Sequence, residues 1–306
     1  MKSCWRSKVF LNKIMIPILI EQSLIIQHWE FILPVFLVIL GIFYFKNFNK
    51  THITTNDTEL KESKLDGEEY IGADYKDDEE NDEYTPSLEE SEHIPFQGAS
   101  MTLPGGAEDF YMVVNDRRSI RSFSNKPIPI EVIETCIKAA GTSPSGAHTE
   151  PWTFCVISEP SIKAQIREII EAEEYLNYSQ RMHRQWTADL RPLRTDHIKE
   201  YLTVAPYLIL IFKQIYGFKA DGSRKQHYYN EISVSIATGI LLCALQAAGL
   251  NSLVTTPLNC GPALRTLLNR PQNEKLLVLL PVGYASEDCK VPNLKRKALD
   301  DIMVRY

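Results

Sequence analysis

The chain predicts one globular domain in which helices and β-strands interleave, carried behind a long N-terminal part of different character. Three observations lead there. Only residues 93–306 have the mixed composition of a folded domain, whereas 1–50 are apolar with scattered lysines and 56–92 are dominated by acids. Two dense apolar runs, Tyr207–Phe212 and Leu276–Val282, have the length and composition of buried strands. Around them, apolar residues recur at helical spacing over 130–140, 161–186 and 230–248. A domain of this size buries a full core without disulfides or metals. The six cysteines (4, 136, 155, 243, 260 and 289) show no C-x-x-C and no regular spacing, so they are expected as free thiols in a reducing compartment.

Charge divides the chain in the same places. The net charge is −6, but 56–92 alone holds 16 acids against 3 lysines, or −13. Residues 1–55 carry 6 basic and 2 acidic side chains, which leaves only +3 on 93–306. That is too little and too scattered for a nucleic-acid face. It suffices for a pocket around one small anion.

The N-terminal part predicts a membrane anchor over 1–50 and an acidic, disordered linker over 51–95. Phe31–Phe45 is an apolar run of 15 residues, with Trp29 in front and Lys46 behind as interfacial anchors. It is shorter than the ~20 residues of a typical spanning helix, a gap that tilt or snorkelling closes. No small-residue cleavage pattern follows it. Basic residues flank both sides of the run, and counting them slightly favours a cytoplasmic N-terminus; the redox chemistry argued below instead places the globular domain in the cytoplasm. The acid-rich stretch has little to bury and reads as a spacer.

Within the globular domain (96–306), Ala107–Asn115 has helix-like apolar spacing and runs into Arg117-Arg118-Ser119-Ile120-Arg121. Three arginines in five residues form a compact anion clamp, because guanidinium groups take phosphate bidentately. The 130–140 helix is expected to stop at Gly141. After it comes Ser143–Trp152, S-P-S-G-A-H-T-E-P-W. Pro144 and Pro151 restrict this backbone, while Gly146 and Ala147 keep it bare enough to approach a flat ligand. Trp152–Ile157 reads as a strand.

Ser161–Trp186 reads as one long helix with a stripe of Ile162, Ile166, Ile169 and Ile170. Glu174 and Tyr178 stand four apart beyond that stripe, on one face. Thr195 or Asp196 is placed to cap a further helix carrying Lys199. A carboxylate, a phenol and an ammonium brought together suit a zwitterionic amino acid. Asn230–Ala248 reads as a core helix ended by Gly249, and Ser252–Thr256 as a short strand. T-T-P-L-N-C-G-P leads to a helix near 264–268, and Lys295-Arg296-Lys297 forms a second basic knot. There is no G-x-G-x-x-G, Walker motif, H-E-x-x-H or G-x-S-x-G, so neither a dinucleotide fold nor a hydrolase is indicated.

Taken together, R-R-S-I-R, S-P-S-G-A-H-T-E-P-W, H-Y-Y-N-E-I-S-V-S-I-A, T-T-P-L-N-C-G-P and L-L-P-V-G-Y resemble the nitroreductase superfamily of flavoproteins. The likeness runs in order over about 100–306 and includes the layout of anchor plus spacer. It implies an α+β fold with a mixed β-sheet flanked by helices, forming an intertwined homodimer. Two FMN molecules would lie at the subunit interface, each contacted by both chains. By position, Arg117, Arg118, Ser119, Ile120 and Arg121 would hold the phosphate and ribityl chain, with Arg296 as a further phosphate ligand. Ser145, Val254, Thr255 and Thr256 would contact the flavin, the Thr256 hydroxyl donating to N5. Val254 departs from the pattern, which has a threonine there. Glu174, Tyr178 and Lys199 match lid residues that grip the amino-acid end of a halotyrosine, and the Ala147 amide would meet its phenolate.

The activity so implied is reductive dehalogenation of mono- and diiodotyrosine, with NADPH as ultimate electron source, directly or through a separate reductase. Two alternatives share these residues: a broad nitro- or quinone-reducing flavoprotein, and a flavoprotein that binds halotyrosine without turnover. The zwitterion grip argues against the first.

Overall fold

The computed structural model describes Pro86, Leu88 and residues 91–306. The expected anchor and most of the expected linker lie outside these residues. From 91 to 103 the backbone has no regular structure and is solvent-exposed.

A four-stranded sheet lies at the centre, in the order β1 (Trp152–Ile157), β2 (Tyr207–Gln214), β6 (Glu274–Gly283), β5 (Asn251–Ser252). Each of its strand pairs is antiparallel. The expected mixed sheet is therefore corrected: the parallel pairing among the described residues is a single bridge, Ser119 to Ser252, at the β5 edge. β5 is too short to present a longer template there. β3 (Tyr216–Phe218) and β4 (Arg224–Gln226) form a separate hairpin.

β2 explains why the domain has two cores. Its side chains alternate between faces, and Leu208 through Phe212 are all fully buried. Ile209 and Ile211 join Val278, Leu280 and Val282 beneath two helices, α2 (Ile130–Gly141) and α6 (Asn230–Ala247). Leu208, Leu210 and Phe212 face the other way, against α3 (Pro160–Leu176), α5 (Tyr201–Val204) and α7 (Gly261–Leu267). Each such side chain contributes about 1.5–3 kcal/mol on leaving water. α6 is long and apolar enough to cross a membrane, with mean hydropathy 1.3. Yet its Val234, Ala237, Leu241 and Leu245 are fully buried in this core. Gly249 follows at φ 72, and Leu250 N–H donates to the Leu245 carbonyl at 2.9 Å, closing the helix as expected.

Local chemistry revises several boundaries. Gly141 is the last residue of α2 rather than a left-handed cap; Thr142 closes the helix, its hydroxyl donating to the Ala139 carbonyl at 2.8 Å. The expected helix over 161–186 is broken. α3 starts at Pro160, with Glu159 as its cap, and ends at Leu176. A π-helical turn covers Asn177–Arg181, Met182 and His183 are extended, and α4 spans Arg184–Leu190. β5 ends at Ser252; only an isolated bridge, Thr255 to Leu279, continues the expected 252–256 strand. α1 (Ala107–Asn115) forms as expected.

A third, smaller cluster joins Ile120, Phe123 and Ala205. It ties the arginine segment to the start of β2. The Arg270–Glu274 pair fixes the start of β6: Glu274 is buried, takes two bonds from Arg270 at 2.7 and 2.8 Å, and accepts one from Thr153 at 2.7 Å.

Candidate active site

One cleft of about 260 Å³ collects most of the polar residues singled out from the sequence. Its floor comes from the segment after β5: Val254, Thr255 and Thr256. Arg121 enters from the arginine segment, held in place by the third cluster and by Ile120 N–H donating to the Ser252 carbonyl at 3.2 Å. Glu174 comes from the last turn of α3, Tyr178 from the π-turn, and Thr195 and Lys199 from the returning loop. The cover, 177–199, thus folds out from α3 and back to β2.

Electrostatics inside the cleft are closely coupled. Lys199 Nζ lies 3.4 Å from Glu174 Oε2, and the two side chains are only 8% and 14% exposed. The same ammonium sits 5.4 Å from the centre of the Tyr178 ring and donates to Thr195 Oγ1 and to the Asp196 carbonyl. Burial raises the Tyr178 pKa, with a Thr195 hydrogen bond opposing it, so the phenol stays protonated at neutral pH. Burial pushes Tyr201 up further still. Asp196 accepts from Ile198 N–H at 2.9 Å in a local turn, so it does not cap a helix through Lys199; Lys199 precedes α5.

The four arginines expected around a phosphate have no carboxylate partners among the described residues. Arg118 donates to the Pro292 carbonyl, and Arg296 Nη2 to the Arg117 carbonyl at 3.1 Å, which brings the closing basic knot onto the arginine segment. Four uncompensated guanidinium groups on two touching segments fit a phosphate. The threonine-lined floor beside Arg121 fits the polar edge of the flavin it would carry.

Seven expected residues do not line this cleft: Arg117, Arg118, Ser119, Ile120 and Arg296, on the two basic segments, and, on a separate turn, Ser145 and Ala147. The turn that carries them is nonetheless constrained: Ala147, His148 and Glu150 all have left-handed φ of 48°, 50° and 45°. Ser145 Oγ accepts from Glu150 N–H at 3.0 Å, and the His148 and Thr149 amides are taken by Ser145 and Gly146 carbonyls. Ala147 is exposed, and its amide has no backbone acceptor among the described residues.

Met182, Trp186 and Leu190 form the apolar wall of the cover, which sequence reasoning missed. Trp186 and Leu190 stand four apart on α4, a spacing that could have marked them. Asn177 was also missed. It is buried, donates to Glu174 Oε1 at 3.4 Å and accepts from Asn259 at 3.4 Å.

The nitroreductase family model matches residues 114–284. The chain belongs to the nitroreductase family, a class with an α+β fold of helices and a sheet. The chain is 56% identical over 292 residues to iodotyrosine deiodinase of Drosophila melanogaster, covering 94% of this chain and 98% of that one. It is 52% identical over 283 residues to iodotyrosine deiodinase 1 of Homo sapiens, covering 89% and 97%. Among solved structures, it is similar to an oxidised iodotyrosine deiodinase bound to FMN and 3-iodo-L-tyrosine. That match has a TM-score of 0.56 and 31% identity, and covers 64% of this chain and 98% of that one. Within the family, the chain stands with the iodotyrosine deiodinases.

Proposed function

We propose that this protein is an FMN-dependent oxidoreductase that removes iodide from mono- and diiodotyrosine, leaving tyrosine. The observation that carries the reading is the cleft that places Arg121, Glu174, Tyr178, Lys199 and Thr256 together, in a chain more than half identical to an iodotyrosine deiodinase. When bound, FMN supplies the two electrons that an aryl carbon–iodine bond needs for reductive cleavage.

The residues of the chain supply binding, position and protons. Arg117, Arg118, Arg121 and Arg296 hold the phosphate, with Ser119 and Ile120 along the ribityl chain. Val254, Thr255 and Ser145 flank the ring system; position 254 serves through its backbone, which valine leaves intact. Glu174 takes the substrate ammonium and Lys199 its carboxylate, so the ligand replaces their mutual ion pair with two of its own. Tyr178 donates its protonated hydroxyl in the same grip. Met182, Trp186 and Leu190 cover the aromatic ring and exclude water. The Ala147 amide donates to the phenolate oxygen, favouring iodinated tyrosines, which are more acidic than tyrosine. The Thr256 hydroxyl donates at flavin N5.

Ser145 and Ala147 reach the cleft from a second copy of the chain. Exposed apolar residues support a homodimer: Phe110, Tyr111 and Met112 on α1, Ile232 and Ile236 on α6, and Ile302 and Val304 near the C-terminus. Cytoplasmic NADPH supplies the electrons, directly or through a separate reductase, to a domain tethered by the 1–50 anchor.

One experiment tests the activity. The purified full-length chain, loaded with FMN and reduced anaerobically, is mixed with diiodotyrosine while flavin absorbance and free iodide are followed. Flavin reoxidation with matching iodide release is expected. Reoxidation by nitroaromatics but not by diiodotyrosine would instead support a nitroreductase, and tight binding without reoxidation a binding protein.

A further inference from the structure

Helix α3 carries a ladder of four polar side chains, and every rung holds the segment that returns from the cover. Lys163 Nζ donates to the Ala205 carbonyl at 2.8 Å. Arg167 Nη1 donates to Thr203 Oγ1 at 3.2 Å. Glu171 Oε1 accepts from the Lys199 backbone N–H at 2.6 Å, while Arg167 Nε bonds that same oxygen at 2.7 Å. Glu174 Oε2 meets Lys199 Nζ at 3.4 Å. Spacings of four, four and three residues put all four rungs on one face of α3. The segment they grip runs antiparallel to that face, from Ala205 back to Lys199.

We infer that Glu171 is a positioning residue for substrate recognition: it fixes the Lys199 backbone relative to α3 and so sets the distance between the two charged arms of the grip. The inference rests on the functional reading above. Glu174 rides on α3 directly, one turn beyond Glu171. Lys199 belongs to another segment, and its ammonium can face a ligand carboxylate only if its backbone is held in register with that helix. The bond from Glu171 to the Lys199 amide provides that register. It is charge-assisted and shares its acceptor oxygen with Arg167, which stops the carboxylate from swinging away. Glu171 itself does not line the cleft, so its effect on binding passes through Lys199.

The consequence is selective. A ligand that uses both arms feels the register, whereas one that uses only the ring does not. In oxidised holoenzyme, which does not turn over, the dissociation constants of 3-iodotyrosine and of 2-iodophenol are measured by quenching of flavin fluorescence. Glu171→Ala is expected to weaken 3-iodotyrosine about tenfold or more and to leave 2-iodophenol within about twofold. Glu171→Gln, which keeps an acceptor oxygen but loses the charge, falls between wild type and Glu171→Ala. Arg167→Met, which frees the carboxylate, gives the same selective loss and serves if Glu171→Ala does not fold. Equal losses for the two ligands, or unchanged affinity for 3-iodotyrosine in both Glu171→Gln and Arg167→Met, would overturn the inference while leaving the activity intact. Wild-type protein that does not bind 3-iodotyrosine would overturn both.

Discussion

Glu174 and Lys199 are paired across 3.4 Å, almost shielded from solvent. The two charges of the grip therefore compensate each other within the cleft. A zwitterionic ligand exchanges one ion pair for two, while a ligand with a single charge strands one partner. Glu174→Gln is expected to weaken halotyrosine binding by at least ~1.5 kcal/mol. Removing either charge alone leaves its partner buried and uncompensated. The double variant Glu174→Gln, Lys199→Met should thus have a higher melting temperature than the two single losses added together predict. A double-mutant cycle in thermal unfolding, with FMN saturating, checks this.

Asn177 and Asn259 join the cover to the loop that follows Thr256. Replacing Asn177 with Leu keeps the branched shape and removes the bonds to Glu174, Asn259 and Arg181 together. A loss of about 1–3 kcal/mol in stability is expected from the stranded polar partners. Halotyrosine affinity should fall with it, because Glu174 loses a fixed neighbour. Chemical denaturation and equilibrium binding report the two effects separately. Unchanged values in both would remove Asn177 from this role.

Gly146 has a steric reason to be glycine. A Cβ there would lie 2.7 Å from the Tyr228 carbonyl oxygen, a backbone atom that cannot rotate away. Gly146→Ala should destabilise the protein by about 1–3 kcal/mol. It should also displace the neighbouring Ala147 amide, lowering affinity even for iodophenols. Melting temperature and phenol binding measure the two consequences.

Cys260 is fully buried, and burial pushes its thiol up to about 12. Only the thiolate is nucleophilic, and almost none exists at pH 8. Iodoacetamide should leave Cys260 unmodified in the native protein and alkylate it fully in urea, as read by mass spectrometry. Rapid native labelling would mean that α7 is not packed as described.

Much of this fold was legible wherever a residue's role is local. Trp152–Ile157 is a strand with the expected ends, and α6 ends as Gly249 implied. Where tertiary packing decides, the sequence misleads. The isoleucine stripe of α3 ends at Ile170, but the sequence runs on to Trp186 without Gly or Pro, so nothing local announces the π-turn at Asn177–Arg181. That turn depends on Asn177 bonding to a loop more than eighty residues away. The β3–β4 hairpin was overlooked although Asp221-Gly222 marks its turn, because both strands are only three residues long and β4 is basic. For the site, the charged residues were found by type and spacing, and Arg121, Glu174, Tyr178, Lys199 and Thr256 do converge. Its apolar wall was not found, since Met, Trp and Leu on a helix look like any core face until the neighbouring cleft is seen. Glu171 escaped for the opposite reason: one acid among several on a charged helix has no signature until its partner is known.

β2 carries one further implication. Leu208 through Phe212 alternate between two closed cores, so altering any of them means refitting one. The residues from 178 to 198 are all at least partly exposed and face no such demand. Substitutions that choose the guest are thus separable from those that would break the frame, an arrangement from which one scaffold can take on new preferences by small steps.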